Sequence, residues 1–130
     1  MSAYLRHDSI YLKRLISIKR PELVICLGAD TYLAAITGLL DCYVQKDYKE
    51  YCKKINDDFW KLLDQKDNHR DFTDGDHAFT VFGVSHTGSN GMINRKRLSK
   101  KHRDSKIKSW ELMTEDWKNI AEYYFDKLKK

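Results

Sequence analysis

Apolar residues recur every three to four positions in several long stretches of the sequence, which is the spacing of an amphipathic helix. The pattern predicts helices over residues 3–18, 30–40 and 47–65. Thr114 is a suitable N-cap, and it predicts the start of a last helix that continues to the end of the chain. Pro21 ends the first helix, because the residue before a proline disfavours the helical conformation.

Two runs have the length of strands: residues 23–27 (LVICL) are continuously apolar, and residues 78–84 (AFTVFGV) are almost wholly apolar. Runs without polar alternation are typical of strands buried on both faces, as in a parallel sheet. Residues 64–77 are polar and contain glycine, which indicates a loop, and residues 43–44 are candidates for a short third strand. The sequence therefore predicts a single α/β domain over residues 1–130, with a small, mainly parallel sheet flanked by helices.

The predicted sheet is incomplete by itself. Two strands leave unpaired edges, and a two-stranded sheet is only marginally stable. The helices, a protein partner or a second copy of the chain would have to complete it.

Composition narrows the class of protein. Hydrophobic residues make up 42% and charged residues 33% of the chain, as in a globular domain. No apolar run is long enough to span a membrane, and three scattered cysteines do not form a disulfide framework, which favours a cytoplasmic protein. The spacings of a phosphate-binding loop, a serine-hydrolase elbow and a zinc or calcium site are missing, so we expect no metal or other cofactor.

Positive charge is concentrated in residues 95–108, which we call the basic segment. It holds eight basic residues and one acid, a net charge of +7; the whole chain carries +5, so the remainder carries −2. Such a segment favours a polyanionic partner, although a solvated loop is the ordinary alternative. The basic residues are Arg95, Lys96, Arg97, Lys100, Lys101, Arg103, Lys106 and Lys108.

The candidate chemistry follows the second predicted strand, in Ser85, His86, Thr87, Gly88, Ser89, Asn90 and Gly91. Open α/β sheets bind ligands at the carboxyl ends of their strands. Glycines allow successive amides to converge on an anion, hydroxyls add donors, and His86 can donate to a developing negative charge. A structural turn with a hydrogen-bonded histidine is the alternative.

Tryptophan offers a surface on which bases can stack. Trp60 and Trp117 lie within helical patterns, which predicts packing in the core. Trp110 follows the basic segment and is the candidate for stacking.

Two segments resemble the uracil-DNA glycosylase superfamily. Residues 21–30 (PELVICLGAD) are similar to its third strand and following turn, and residues 85–95 (SHTGSNGMINR) are similar to its second active-site motif. The order of elements resembles the family's C-terminal half. The family's first active-site motif is not found before Pro21, and Thr87 stands where the family has a proline.

The resemblance implies a role for each part of these segments. His86 would face O2 of a flipped pyrimidine and stabilise negative charge as the glycosidic bond breaks. Met92 or Ile93 would stand where the family has a wedge, with ordinary packing as the favoured alternative. The base pocket or turn would comprise Gly28, Ala29 and Asp30. The nucleic-acid contacts would comprise Ser85, Thr87, Gly88, Ser89, Asn90, Arg95, Lys96, Arg97, Lys100 and Lys101.

Three functions stay open from the sequence. The first is binding of single-stranded or base-flipped DNA with base excision through His86. The second is a non-catalytic module that binds nucleic acid or a protein. The third is binding of a small phosphorylated ligand by the glycine-rich segment.

Overall fold

A computed structural model describes residues 3–43 and 47–128, which fold into helices packed on a small sheet. None of the described helices is long and apolar enough to cross a membrane. The elements in chain order are α1 (Ala3–Lys19), β1 (Leu23–Leu27), α2 (Ala29–Tyr43), α3 (Tyr48–Asp64), β2 (His69–Asp74), β3 (His77–Val84), α4 (Ser89–Arg97) and α5 (Ser109–Leu128).

The sheet has the strand order β1-β3-β2 and is mixed. β1 and β3 are parallel, as the two apolar runs predicted, and Leu27 pairs with Val84 at their carboxyl ends. β2 is antiparallel to β3, so the prediction of a mainly parallel sheet is wrong. The third strand does not come from residues 43–44 either, because Tyr43 ends α2 and Val44 lies outside the described residues.

β2 lies within the stretch predicted as a loop. Its one fully buried side chain, Phe72, pairs with Phe79 of β3 and stacks on it, with ring centroids 5.4 Å apart. Asp71 and Thr73 are exposed. An edge strand with a single apolar anchor has too few apolar positions for its pattern to be recognised, which explains the error.

Helices cover both faces of the sheet. On one face, the Tyr32 ring of α2 lies against Gly83, where a side chain would overlap it. On the other face, Phe82 contacts Tyr123 of α5, with ring centroids 5.4 Å apart. α1 and α3 pack against α2, and α4 packs against α5.

α5 begins at Ser109, so the prediction that Thr114 caps this helix is wrong. The Thr114 hydroxyl instead donates to the carbonyl of Trp110 at 2.8 Å, a bond made inside a helix. Among the apolar residues of α5, Ile120 is buried, whereas Phe125 is 59% exposed.

Candidate functional site

The two segments singled out in the sequence meet at one end of the sheet. Gly28 follows β1 and His86 follows β3, and because these strands are parallel neighbours, their carboxyl ends lie side by side. Between them is a cleft of about 370 Å³. It is lined by Gly28, Ala29, Trp60, His86, Gly88, Ser89, Asn90, Gly91 and Asn94.

Gly28 holds the floor of the cleft in a conformation that favours glycine. Its φ is +99°, and its N–H donates to the Val84 carbonyl at 2.6 Å. A Cβ atom at this position would lie 2.5 Å from Nε2 of His86. The imidazole therefore packs directly on the backbone of Gly28, which fixes one side of the ring.

The first turn of α4 forms another wall. Gly88 is the N-cap and provides no side-chain cap, and Met92 N–H donates to the Gly88 carbonyl at 3.0 Å. The first amides of a helix have no partner within it, and the helix dipole makes this end positive. A side chain at Gly91 would overlap the His86 carbonyl, so His86 and this turn are in close contact.

Trp60 lines the cleft from α3, just after an interruption of that helix. Asp58 has non-helical angles (φ −156°, ψ 62°), and its carboxylate accepts a hydrogen bond from Lys61 N–H at 3.2 Å. Trp60 is only partly buried and packs against the core, with its ring centroid 5.3 Å from that of Phe59. Trp60 therefore packs against the core, as predicted, and in addition lines the cleft.

Two predicted nucleic-acid contacts are buried. Arg95 is 1% exposed and forms ion pairs with Asp116 at 2.5 Å and with Asp64 at 2.9 Å. Although burial by itself lowers it, these two carboxylates raise the pKa of Arg95. Its guanidinium cannot reach a phosphate in this structure, so we withdraw Arg95 from the predicted contacts. Ser85 is also 1% exposed, and its hydroxyl has no hydrogen-bond partner among the described residues.

The other basic residues of the prediction lie nearer the surface. Arg97 is exposed and donates to the Asn94 side chain at 2.8 Å, which places it beside the cleft. Lys100 and Lys101 are exposed and line a second depression of about 300 Å³, whose other lining residues are Lys61, Gln65, Asp58 and Asp64. α3 contributes to both, because Trp60 lines the cleft and Lys61 lines the second depression.

The structure thus brings together part of the predicted site. The predicted residues that line the cleft are Gly28, Ala29, His86, Gly88, Ser89, Asn90 and Gly91. Asp30 and Thr87 are exposed and outside its lining, as is Ile93 at 55% exposure. Sequence reasoning missed Asn94 and Trp60, since nothing local relates Trp60 to residues 28 and 86. No group of three or more candidate metal ligands occurs among the described residues.

Comparison of the chain with known protein families, curated proteins and solved structures gives no match.

Proposed function

We propose that this protein binds DNA, receives a base turned out of the stack in the cleft, and excises that base with the help of His86. The observation that carries the proposal is the meeting of Gly28 and His86, 58 positions apart in sequence, in one cleft at the carboxyl ends of parallel strands. Ligands of open α/β sheets bind at this end. The resemblance of both segments to uracil-DNA glycosylase motifs supports the same site.

The lining suits a planar, uncharged, polar ligand. Glycines and an alanine allow close approach to the backbone, while Ser89, Asn90 and Asn94 offer donors and acceptors for a base edge. When the bond between sugar and base breaks, the base leaves with the electron pair, and water supplies the sugar's new hydroxyl. His86 would donate to the departing base and stabilise its negative charge.

A non-catalytic module that binds nucleic acid is the second candidate, and one observation favours it. None of the residues that line the cleft in the described part of the chain carries a carboxylate. The nearest predicted acid, Asp30, is exposed and lies outside the lining. Base excision separates the two candidates, whereas both require DNA binding.

DNA binding is expected to weaken as salt rises, because each phosphate contact releases counterions. The variants Lys100→Glu and Lys101→Glu should each bind a single-stranded oligonucleotide more weakly. Each should also reduce the slope of log affinity against log salt by about 0.7, the loss of one contact to a single strand. Fluorescence anisotropy at several salt concentrations measures both quantities.

Lys118→Glu is the matched control, because Lys118 is exposed on α5 and lines neither the cleft nor the second depression. This variant has the same change in net charge. If all three variants lose affinity equally, the effect comes from net charge and the proposed surface is wrong. If the wild type does not bind the oligonucleotide, the proposed function is wrong.

A further inference from the structure

We propose that Trp60 is the surface on which the bound base stacks, which makes the cleft selective for an unstacked base of single-stranded nucleic acid. This inference rests on the proposed function and adds a specificity-determining residue to it. Trp60 belongs to neither of the two segments that carry the family resemblance.

Trp60 is less buried than the core residues beside it in the helical segment after Asp58. Phe59 is 3% exposed and packs on Tyr32, with ring centroids 6.1 Å apart. Leu62 is likewise 3% exposed, whereas Trp60 is only partly buried and lines the cleft. The Asp58 carboxylate starts a new helical segment after the break, so the direction of Trp60 is set by capping as well as by packing.

Neighbouring aromatic packing orients the Trp60 ring. The Phe59 and Trp60 rings meet at 70°, an edge-to-face arrangement, with centroids 5.3 Å apart. Phe59 is itself held by Tyr32, whose hydroxyl pairs with that of Tyr51 at 2.7 Å. A ring held in this way binds a planar ligand with little loss of side-chain freedom.

The rest of the lining complements an aromatic wall. Trp60 is its only indole, phenyl or phenol ring among the described residues, and the remaining side chains are small, polar or the imidazole of His86. Every base has a π-face, so stacking on indole adds affinity without selecting one base, while the amides and His86 contact its edge. In a paired duplex this face is covered by neighbouring bases, so a base must leave the stack to reach Trp60.

Binding of two oligonucleotides tests the role of Trp60. The probes are a fluorescein-labelled oligothymidylate of 15 nucleotides and an abasic strand of the same length, which keeps the phosphates and lacks the bases. Trp60→Leu is expected to weaken binding of oligothymidylate roughly 5- to 150-fold, the range for loss of one stacking contact. Its affinity for the abasic strand should stay unchanged, and Trp60→Phe should retain most of the affinity.

Phe125→Leu is the control, because Phe125 is an aromatic residue that is 59% exposed and lines neither the cleft nor the second depression, so its replacement should leave binding of both strands unchanged. If the wild type binds oligothymidylate and Trp60→Leu binds it equally well, the inference about Trp60 is overturned while the proposed function stands. If the wild type binds neither strand, the proposed function itself is overturned.

A second measurement covers the case in which Trp60→Leu does not fold, as shown by circular dichroism. In the double variant Trp110→Phe/Trp117→Phe, Trp60 is the only tryptophan of the chain. Its fluorescence should be quenched by oligothymidylate and not by the abasic strand. Binding without quenching overturns the inference.

Discussion

Asp116→Ala is expected to lower the free energy of unfolding by about 3–5 kcal/mol, because it leaves a buried guanidinium without its main partner. Asp116 accepts from Nε and Nη2 of Arg95 at 2.5 and 3.0 Å. The side chains of Arg95 and Asp116 are 2% and 5% exposed, so water cannot replace the lost carboxylate. Asp64 remains as the second partner of Arg95 and neutralises the charge only from one side.

Urea unfolding of the wild type and the variant measures this difference. Asp126→Ala on the same helix is the control, because Asp126 is exposed and its replacement should change stability by less than about 0.5 kcal/mol. A loss below about 1 kcal/mol for Asp116→Ala would show that Arg95 is not held as described.

The same ion pairs bear on the cleft. Asp64 ends α3, Arg95 lies in α4 and Asp116 in α5, so the network joins three helices. Ser99 adds a hydrogen bond to Asp64 at 2.7 Å. α4 forms the wall of the cleft next to His86, and Arg95 belongs to α4 but does not line the cleft. Arg95 therefore stabilises this wall without contacting a ligand.

Gly91→Ala is expected to destabilise the protein by about 3 kcal/mol, at the upper end of the range for overpacking. The new methyl group would overlap the His86 carbonyl, which is backbone and cannot rotate away. Alanine's higher helix propensity offsets this by only about 1 kcal/mol. The variant should therefore also displace the His86 loop and weaken oligonucleotide binding.

Gly88→Ala is the matched control for Gly91→Ala. A Cβ atom at Gly88 would meet no other atom within 4 Å, and its backbone angles suit any residue. Thermal unfolding of both variants tests the contrast. Equal stabilities would mean that His86 and α4 are not in close contact.

The parallel strand pair was predictable because β1 is wholly apolar and β3 nearly so, a pattern typical of strands in a parallel sheet. β2 was not predictable from its pattern, because it is an exposed edge strand with one buried residue, Phe72. α4 was missed for a different reason: its sequence, SNGMINRKR, is mostly polar or charged and has no apolar stripe. It is anchored by the buried Arg95, whose partners lie 21 and 31 positions away and are invisible to local patterns.

The candidate site was predictable to a similar extent. Gly28 directly follows the first apolar run, and Gly88 lies in the loop after the second. These positions indicated that Gly28 and His86 lie at the carboxyl ends of the two strands. The run of basic residues gave no means of telling the buried Arg95 from the exposed Lys100 and Lys101. Trp60 shares the helical spacing of core residues, so the pattern did not distinguish it from them, and Asp58, a favoured N-cap, was the one local sign of the break before it.

Excision of uracil is the most direct test of the proposed function. The assay uses a labelled single-stranded oligonucleotide with one uracil, alkali treatment to cut the abasic product, and a thymine oligonucleotide as the substrate control. Wild-type protein should cleave the uracil strand, and His86→Ala should be slower by about 100- to 1,000-fold, the effect of losing one donor to a developing anion. Its affinity for the strand should stay nearly unchanged. No cleavage by the wild type, or equal cleavage by both proteins, would contradict a catalytic role for His86.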